Sequence, residues 1–304
     1  MSSVQVRVPG KVMLSGEYAV LHGGTAVLAT VDRWLTLTEA ESPLESTPVV
    51  DEAFKEPIPE LEAHEKKSPL KGLAVDRSEF IAEDPYGDSV KLGIGSSAAE
   101  AVGTIALRFE RAGMNWRENR RRIAELADTA HNRAQGGRGS GADVWASALQ
   151  QPISFRLGLS GPEADQVADL ASPTTPLTLL WTGEPADTRE LVGTFESWLD
   201  RDSLADGLLA RLVDASEELA PLWFGSNAGT LYAGLDQFTA RMRECADAAG
   251  LPWMLPLHEE LMEWAEENGG RAKPTGAGGG DLILLAGELP FAELESYLLI
   301  PLNL

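Results

Sequence analysis

The sequence predicts a mixed fold of strands and helices arranged in two domains, and three observations carry that reading. The first forty residues read as strand-rich, opening on Val4, Val6 and Val8 alternating with polar residues. Beyond residue 177, helical periodicities dominate, at about 187–200, 203–219 and 226–249. Between them, residues 158–176 hold Gly158, Gly161, Pro162, Pro173 and Pro176 among scattered acids, which reads as a loop and the best domain boundary. The expected domains are 1–165 and 166–304. A chain of 304 residues fits about two domains, and a 43% hydrophobic content is enough for a sizeable core.

In chain order, Val4, Val6 and Val8 alternate with Gln5 and Arg7 as in a half-buried strand, which Pro9-Gly10 is expected to break. A strand and turn over 12–21 ends at His22-Gly23-Gly24, and strands follow at 26–30 and 34–38. Residues 40–88 are rich in Glu and Pro, with Pro43, Pro48, Pro57, Pro59, Pro69 and Pro85. They read as a loosely structured excursion, mobile or lid-like, with strands at 73–75 and near Phe80. Ala98, Val102, Ile105, Ala106 and Phe109 give a helix over about 96–112. Ile123, Leu126, Ala127 and Ala130 give another over about 118–134. A third helix, opening near Asp143, stops at Gln151-Pro152, and a strand follows at 153–156. The second half adds a buried strand at 177–181, the three helices already noted, a helix over 258–268 and a strand at 282–285.

Composition excludes several classes of function. There are 25 Lys and Arg against 47 Asp and Glu, a net charge of −22, which argues against nucleic acid or an anionic membrane as partner. The single Cys245 leaves no internal disulfide and fits a reducing compartment. One cysteine and four histidines make a structural zinc site a poor expectation. No apolar run has membrane-span length and the N-terminus has no signal-peptide core, so a cytoplasmic location with no membrane partner is expected. The sequence leaves the oligomeric state open, a homodimer included. Against this acidic background Lys11, Lys91, Arg138 and Lys273 each stand in or beside a glycine-rich stretch, where an acidic protein that handles phosphates would concentrate positive charge.

The stretch Lys91-Leu92-Gly93-Ile94-Gly95-Ser96-Ser97-Ala98 opens the helix over 96–112. A glycine-rich loop at a helix N-terminus leaves backbone N–H groups unpaired, and those donors and the helix dipole favour an anion, most often phosphate. It is not a Walker A loop, since no Gly-Lys-Ser/Thr follows the spaced glycine. The plain alternative is a serine N-cap. A second cluster, Gln135-Gly136-Gly137-Arg138-Gly139-Ser140-Gly141-Ala142-Asp143, delivers a carboxylate to a helix start, where it can take a proton, orient a hydroxyl or simply cap. The third, Lys273-Pro274-Thr275-Gly276-Ala277-Gly278-Gly279-Gly280-Asp281, has more glycines than a tight turn needs and lets backbone pass close to another group.

Together the stretches at 9–24, 91–99 and 273–281 resemble, in order and spacing, the three signature motifs of the GHMP kinases, named for galactokinase, homoserine kinase, mevalonate kinase and phosphomevalonate kinase. Lys91 before Gly-Ile-Gly-Ser-Ser, the run Ala130-His131 to Val144, and Lys273 to Asp281 look most like the phosphomevalonate kinase subgroup. Two departures stand out. Leu-Ile-Leu follows Asp281, and His131-Asn132-Arg133 stands where mevalonate kinases carry a magnesium-binding Glu.

The resemblance implies an α+β, two-domain GHMP kinase fold. Its N-terminal domain would be like ribosomal protein S5 domain 2, its C-terminal domain ferredoxin-like, and its active site would lie in the cleft between them. It implies transfer of the ATP γ-phosphate to mevalonate 5-phosphate, with ATP and Mg2+ as cofactors and a small phosphorylated substrate as partner. Mevalonate kinase or another small-metabolite kinase of the fold is the alternative. Lys11 and Asp143 would be catalytic. Lys91, Gly93, Gly95, Ser96, Ser97 and Ala98 would hold ATP, with Ser97 on the metal. Tyr18, Arg138, Ser140, Gly141, Lys273, Gly276, Ala277 and Gly278 would line the substrate.

Overall fold

The computed structural model describes residues 4–41, 47–83, 87–137, 139–158, 161–166 and 175–302. In chain order the regular elements are β1 (Gln5–Ser15), β2 (Ala26–Ala40), α1 (Pro48–Lys55), α2 (Glu62–Lys67), β3 (Gly72–Asp76), β4 (Ile81–Glu83), β5 (Ser89–Lys91), α3 (Ser96–Arg111), α4 (Arg120–Ala134), α5 (Ala142–Leu149), β6 (Ile153–Gly158), β7 (Gly161–Gln166), β8 (Leu177–Trp181), α6 (Thr188–Leu199), α7 (Ala205–Leu219), α8 (Ala228–Ala249), α9 (Pro256–Glu267), β9 (Arg271–Pro274), β10 (Leu282–Ala286) and β11 (Leu299–Leu302). Short 3-10 turns join several of them. No helix among the described residues is long and apolar enough to cross a membrane.

The chain forms two compact units, neither continuous in sequence. One is 1–11, 30–81 and 94–151, and the other is 12–29, 82–93 and 152–304. The sequence reading expected contiguous blocks, 1–165 and 166–304. The difference arises because β1 and β2 are long strands that serve both units, and because the loop before α3 changes unit between Gly93 and Ile94.

In the first unit, β3 pairs antiparallel with the end of β2, Thr36 opposite Asp76 and Ala40 opposite Gly72. Helix α3 is its centre: an unbroken run from Ala98 to Phe109 is buried. Gly103 lies so close to Leu37 that a Cβ there would overlap the leucine side chain, which lets α3 lie flat on β2. Helix α4 packs on both α3 and α5.

The excursion over 40–88 is more ordered than its composition implied. Thr47 caps α1, accepting from the Val50 N–H, Pro48 sits in the first turn, and Val49, Val50 and Ala53 are buried. Arg108 of α3, itself buried, closes the other end of α1. It donates to the Ala53 carbonyl at 2.9 Å and the Glu56 carbonyl at 2.8 Å, and it grips Glu65 of α2 through two nitrogens at 2.8 and 3.1 Å. A segment fastened this way is part of the unit's core, and the lid expectation is set aside for 48–67.

Two strand readings also change. Pro9-Gly10 does not end β1, because β1 is the terminal strand in the order β1-β2-β6-β7, where a missing N–H is tolerated. The expected strands at 26–30 and 34–38 are one strand, β2, since Val31 continues the buried alternation between them. The loop expected over 158–176 contains β7, which pairs with β6 from Ile153 opposite Gln166 to Gly158 opposite Gly161. Residues 159–160 and 167–174 of that loop lie outside the described residues.

In the second unit, β8 to β11 form an antiparallel sheet in the order β11-β8-β10-β9. Numbered from β8 as the first strand, this is 4-1-3-2, the order of a ferredoxin-like βαββαβ sheet. Strands β8 and β10 are buried at every residue, as central strands under helices should be. Leu180, Ile283, Leu285 and Ala272 of the sheet meet Leu261 and Ala265 of α9 in one core cluster.

His258 of α9 is fully buried, its Nδ1 accepting from the Leu255 N–H at 3.2 Å. Burial holds its pKa down, from 6.5 to about 4. The unfolded chain therefore takes up a proton near pH 6.5 that the folded chain refuses until about pH 4. Stability is lost as pH falls through that window, by on the order of 3 kcal/mol. His258→Asn keeps an acceptor for Leu255 without the titration. Its loss of stability relative to the parent should shrink steadily between pH 6.5 and 4 in urea unfolding, whereas a constant difference would show that His258 does not titrate as described.

Candidate active site

The loop before α3 folds as a phosphate cradle requires. Gly93 and Gly95 have φ of +74° and +82°, a region closed to most residues. Gly95 is the N-cap of α3 and offers no side chain to cap it, so the first N–H groups of the helix are left for another acceptor. Ser96 and Ser97 form the first turn with Ala98, which is buried. The Ser97 hydroxyl is held by His131 Nε2 at 3.0 Å, from the last turn of α4, and by the side-chain amide of Gln135, the C-cap of that helix, at 3.2 Å.

Lys11 joins this loop from β1. Its backbone N–H donates to the Ile94 carbonyl at 2.9 Å. Its side chain runs over Gly95, where a Cβ would stand 2.5 Å from Lys11 Cε. The positive φ favours glycine at position 95, and the absence of a side chain leaves room for the Lys11 stem. The Lys11 ammonium has no hydrogen-bond or ion-pair partner among the described residues. A half-buried, unpaired cation beside an uncapped helix N-terminus is an arrangement that attracts an anion.

Asp143 stands in the first turn of α5, in the same unit, half-buried, its Oδ1 accepting from the Val144 N–H at 3.0 Å. Gly141, with φ +79°, is the N-cap, and the Ser140 hydroxyl accepts from the Ala142 N–H at 3.3 Å. Arg138 lies outside the described residues.

The third glycine cluster belongs to the other unit, with Tyr18, Lys91 and Gly93. Lys91 ends β5 and is exposed. A Cβ at Gly93 would stand 2.5 Å from the Asp281 carboxyl carbon, so the α3 loop and the third cluster touch there. The buried Tyr18 hydroxyl donates to the Ala277 carbonyl at 2.8 Å, and its ring lies 4.4 Å from that of Phe195. Burial and the neighbouring Glu17 raise the phenol's pKa, so it stays protonated. Gly276 and Gly278 have φ of +63° and +75°, and a Cβ at Gly278 would overlap the Trp253 indole.

Lys273, expected to line the substrate, is buried and paired instead. It lies in β9, 1% exposed, with Nζ donating to Glu17 Oε1 at 2.5 Å and to the Pro274 carbonyl at 2.7 Å. The sequence reading missed β9 because Arg-Ala-Lys-Pro shows no strand pattern, and pairing with β10 imposes it. Burial raises the Glu17 carboxyl's pKa while the Lys273 charge pulls it down. Removing one partner of such a pair strands the other charge. Glu17→Gln should therefore cost about 3–5 kcal/mol in denaturant unfolding, with much of it restored by adding Lys273→Met. An unchanged midpoint in the single variant would contradict this role.

Each of the three glycine stretches thus touches another, and every one of these contacts lies within a single unit. The residues that sequence reading did not assign are Glu17, His131 and Gln135. His131 and Gln135 are four apart, the spacing of one helix face, and that was the available signal.

Residues 77–151 match the family model described as GHMP kinases N terminal domain. The chain is 26% identical to a phosphomevalonate kinase of a Streptomyces species, over 90% of this chain and 87% of that one. It is also 26% identical to a phosphomevalonate kinase of Saccharolobus solfataricus, over 93% and 90%. Its fold matches Streptococcus pneumoniae phosphomevalonate kinase, solved in complex with phosphomevalonate and AMPPNP, with a TM-score of 0.74 at 16% identity, covering 93% and 92% of the two chains. Residues 77–151 are thus similar to the N-terminal domain of the GHMP kinases, and nearly the whole chain is similar to phosphotransferases. Within that family both relatives named here are phosphomevalonate kinases.

Proposed function

We propose that this kinase transfers the γ-phosphate of ATP to mevalonate 5-phosphate, giving mevalonate 5-diphosphate and ADP. The observation that carries the reading is the unpaired Lys11 ammonium stem laid across Gly95 at the open N-terminus of α3. In the reaction, an oxygen of the acceptor phosphate bonds to the γ-phosphorus, and the bond from that phosphorus to the β–γ bridging oxygen breaks. Catalysis of such a step is mainly positioning and charge neutralisation. The N–H groups of the 93–98 loop, with Lys91, hold the nucleotide phosphates. Lys11 neutralises charge on the transferring group.

An acceptor phosphate is ionised near neutral pH and needs no strong base. Asp143 therefore orients the reacting groups through its charge. Ser140, Gly141 and Arg138 take the substrate phosphate. Tyr18 and Lys273, each bonded elsewhere, act by fastening the third glycine stretch within its own unit.

Among the described residues no cluster of three or more His, Cys, Asp or Glu forms a metal site. The Ser97 hydroxyl is a hard oxygen at the helix mouth and would be the protein group to hold a magnesium ion there. When bound, that ion neutralises charge on the β- and γ-phosphate oxygens.

ADP release with mevalonate 5-phosphate and with mevalonate, side by side, tests the acceptor. Turnover is expected with the first only. Turnover with mevalonate alone would make the chain a mevalonate kinase, with Asp143 as base.

A further inference from the structure

The Ser97 hydroxyl, in the first turn of α3, is gripped by the C-terminal end of α4, and the proposed chemistry leaves that grip unexplained. His131 Nε2 stands 3.0 Å from Ser97 Oγ and the Gln135 amide nitrogen 3.2 Å from it. The two nitrogens are 3.4 Å apart, so the three groups close a triangle. His131 is 8% exposed, and Ser97 and Gln135 are half-buried. All three residues belong to one unit.

A hydroxyl has one proton to donate and two lone pairs that accept, while an amide NH2 only donates. If His131 Nε2 carried the ring proton, it and the amide would both donate to Ser97, and two N–H groups would face each other across the third side. With the ring proton on Nδ1 all three contacts attract. Ser97 then donates to His131 Nε2, and the amide donates one hydrogen to Ser97 Oγ and the other to the imidazole. Turning the amide over, with the ring proton on Nε2, gives the other attractive set. There Ser97 donates to the amide oxygen and accepts from the ring. In both sets the Ser97 proton is committed to α4, one lone pair accepts from α4, and the other lone pair is turned away from that helix.

We propose that His131 and Gln135 are positioning residues for Ser97: they hold its hydroxyl as an acceptor, ready to take a cation at the α3 N-terminus and unable to donate to a phosphate there. A serine free to rotate beside phosphates would donate, because ionised phosphate oxygens only accept. The grip from α4 prevents that and keeps a lone pair for a hard cation such as Mg2+. Partners that orient a metal-binding group in this way are worth about 10- to 100-fold in metal affinity. The inference rests on reading the α3 N-terminus as the nucleotide site, and it is independent of which acceptor is phosphorylated.

The test is the ratio of AMPPNP affinity in Mg2+ to that in EDTA, measured by isothermal titration in the parent, Ser97→Ala, His131→Leu and the double variant. His131→Leu should lower this ratio by about tenfold or more while affinity in EDTA stays within about threefold. Ser97→Ala should lower it by a similar factor. Adding His131→Leu to Ser97→Ala should lower it no further, because the hydroxyl that His131 orients is already gone. Equal losses in Mg2+ and EDTA, or additive losses in the double variant, would make His131 a packing residue and overturn the proposal. A ratio that Ser97→Ala leaves intact would overturn it too. Should leucine at the buried position disrupt folding, Gln135→Leu at the half-buried C-cap makes the same comparison, with a fall in the ratio of about threefold expected and an unchanged ratio overturning the proposal. Coupled losses in a protein that phosphorylates neither mevalonate 5-phosphate nor mevalonate would keep the positioning pair and dismiss the proposed reaction. Turnover of mevalonate 5-phosphate with uncoupled losses would do the reverse.

Discussion

Lys11→Met is expected to lower kcat by about 10³-fold or more, on the scale seen when a preorganised charge on a transferring phosphoryl group is removed. That is about 4 kcal/mol of barrier. Methionine keeps the unbranched stem that lies over Gly95, and the bond from the residue 11 N–H to the Ile94 carbonyl belongs to the backbone. The fold should therefore survive, with unfolding free energy changed by less than about 1 kcal/mol. Nucleotide affinity should change far less than turnover, since the loop N–H groups still meet the phosphates. Isothermal titration with a non-hydrolysable ATP analogue and steady-state kinetics separate the two effects. Near-normal turnover would remove Lys11 from the chemistry, and loss of binding equal to the loss of turnover would make it a ground-state ligand.

The second large effect is expected at Asp143. Asp143→Asn preserves shape and the oxygen that accepts from the Val144 N–H, and removes only the charge. A role in orienting the reacting groups predicts a loss of about 10²-fold or more in kcat with little change in KM. A helix cap alone would predict a drop in stability of about 1 kcal/mol and no comparable kinetic effect. The same variant separates acceptors. An alcohol needs a base, and its loss there should be deeper than for an acceptor phosphate that is already ionised.

Much of this site was legible because its demands are local. Glycines that must take positive φ at a helix mouth leave their mark within a short window, and the stretch holding Gly93 and Gly95 was singled out that way, whereas the roles expected of Lys11 and Asp143 came from the resemblance to the GHMP kinases. The helices α3, α4 and α6 to α9 were legible from periodicity, with boundaries off by one or two residues. What was not legible depends on partners distant in sequence. The Glu17–Lys273 pair joins residues 256 positions apart, and nothing near Lys273 announces that its charge is buried. Strand β9 exists because β10 is its neighbour. The excursion was misjudged because its prolines outweighed a cap and three apolar residues, while Arg108, which fastens it, lies on another helix.

The central claim is that an acceptor phosphate, and not an alcohol, receives the γ-phosphate. Phosphorus NMR of a reaction holding ATP and mevalonate 5-phosphate tests it most directly, because a new phosphorus–oxygen–phosphorus linkage gives coupled signals that no monoester shows. The account predicts loss of the substrate monoester signal with growth of a coupled diphosphate pair matching the ADP formed. A monoester that persists unchanged, while mevalonate in a parallel tube gains one, would contradict it.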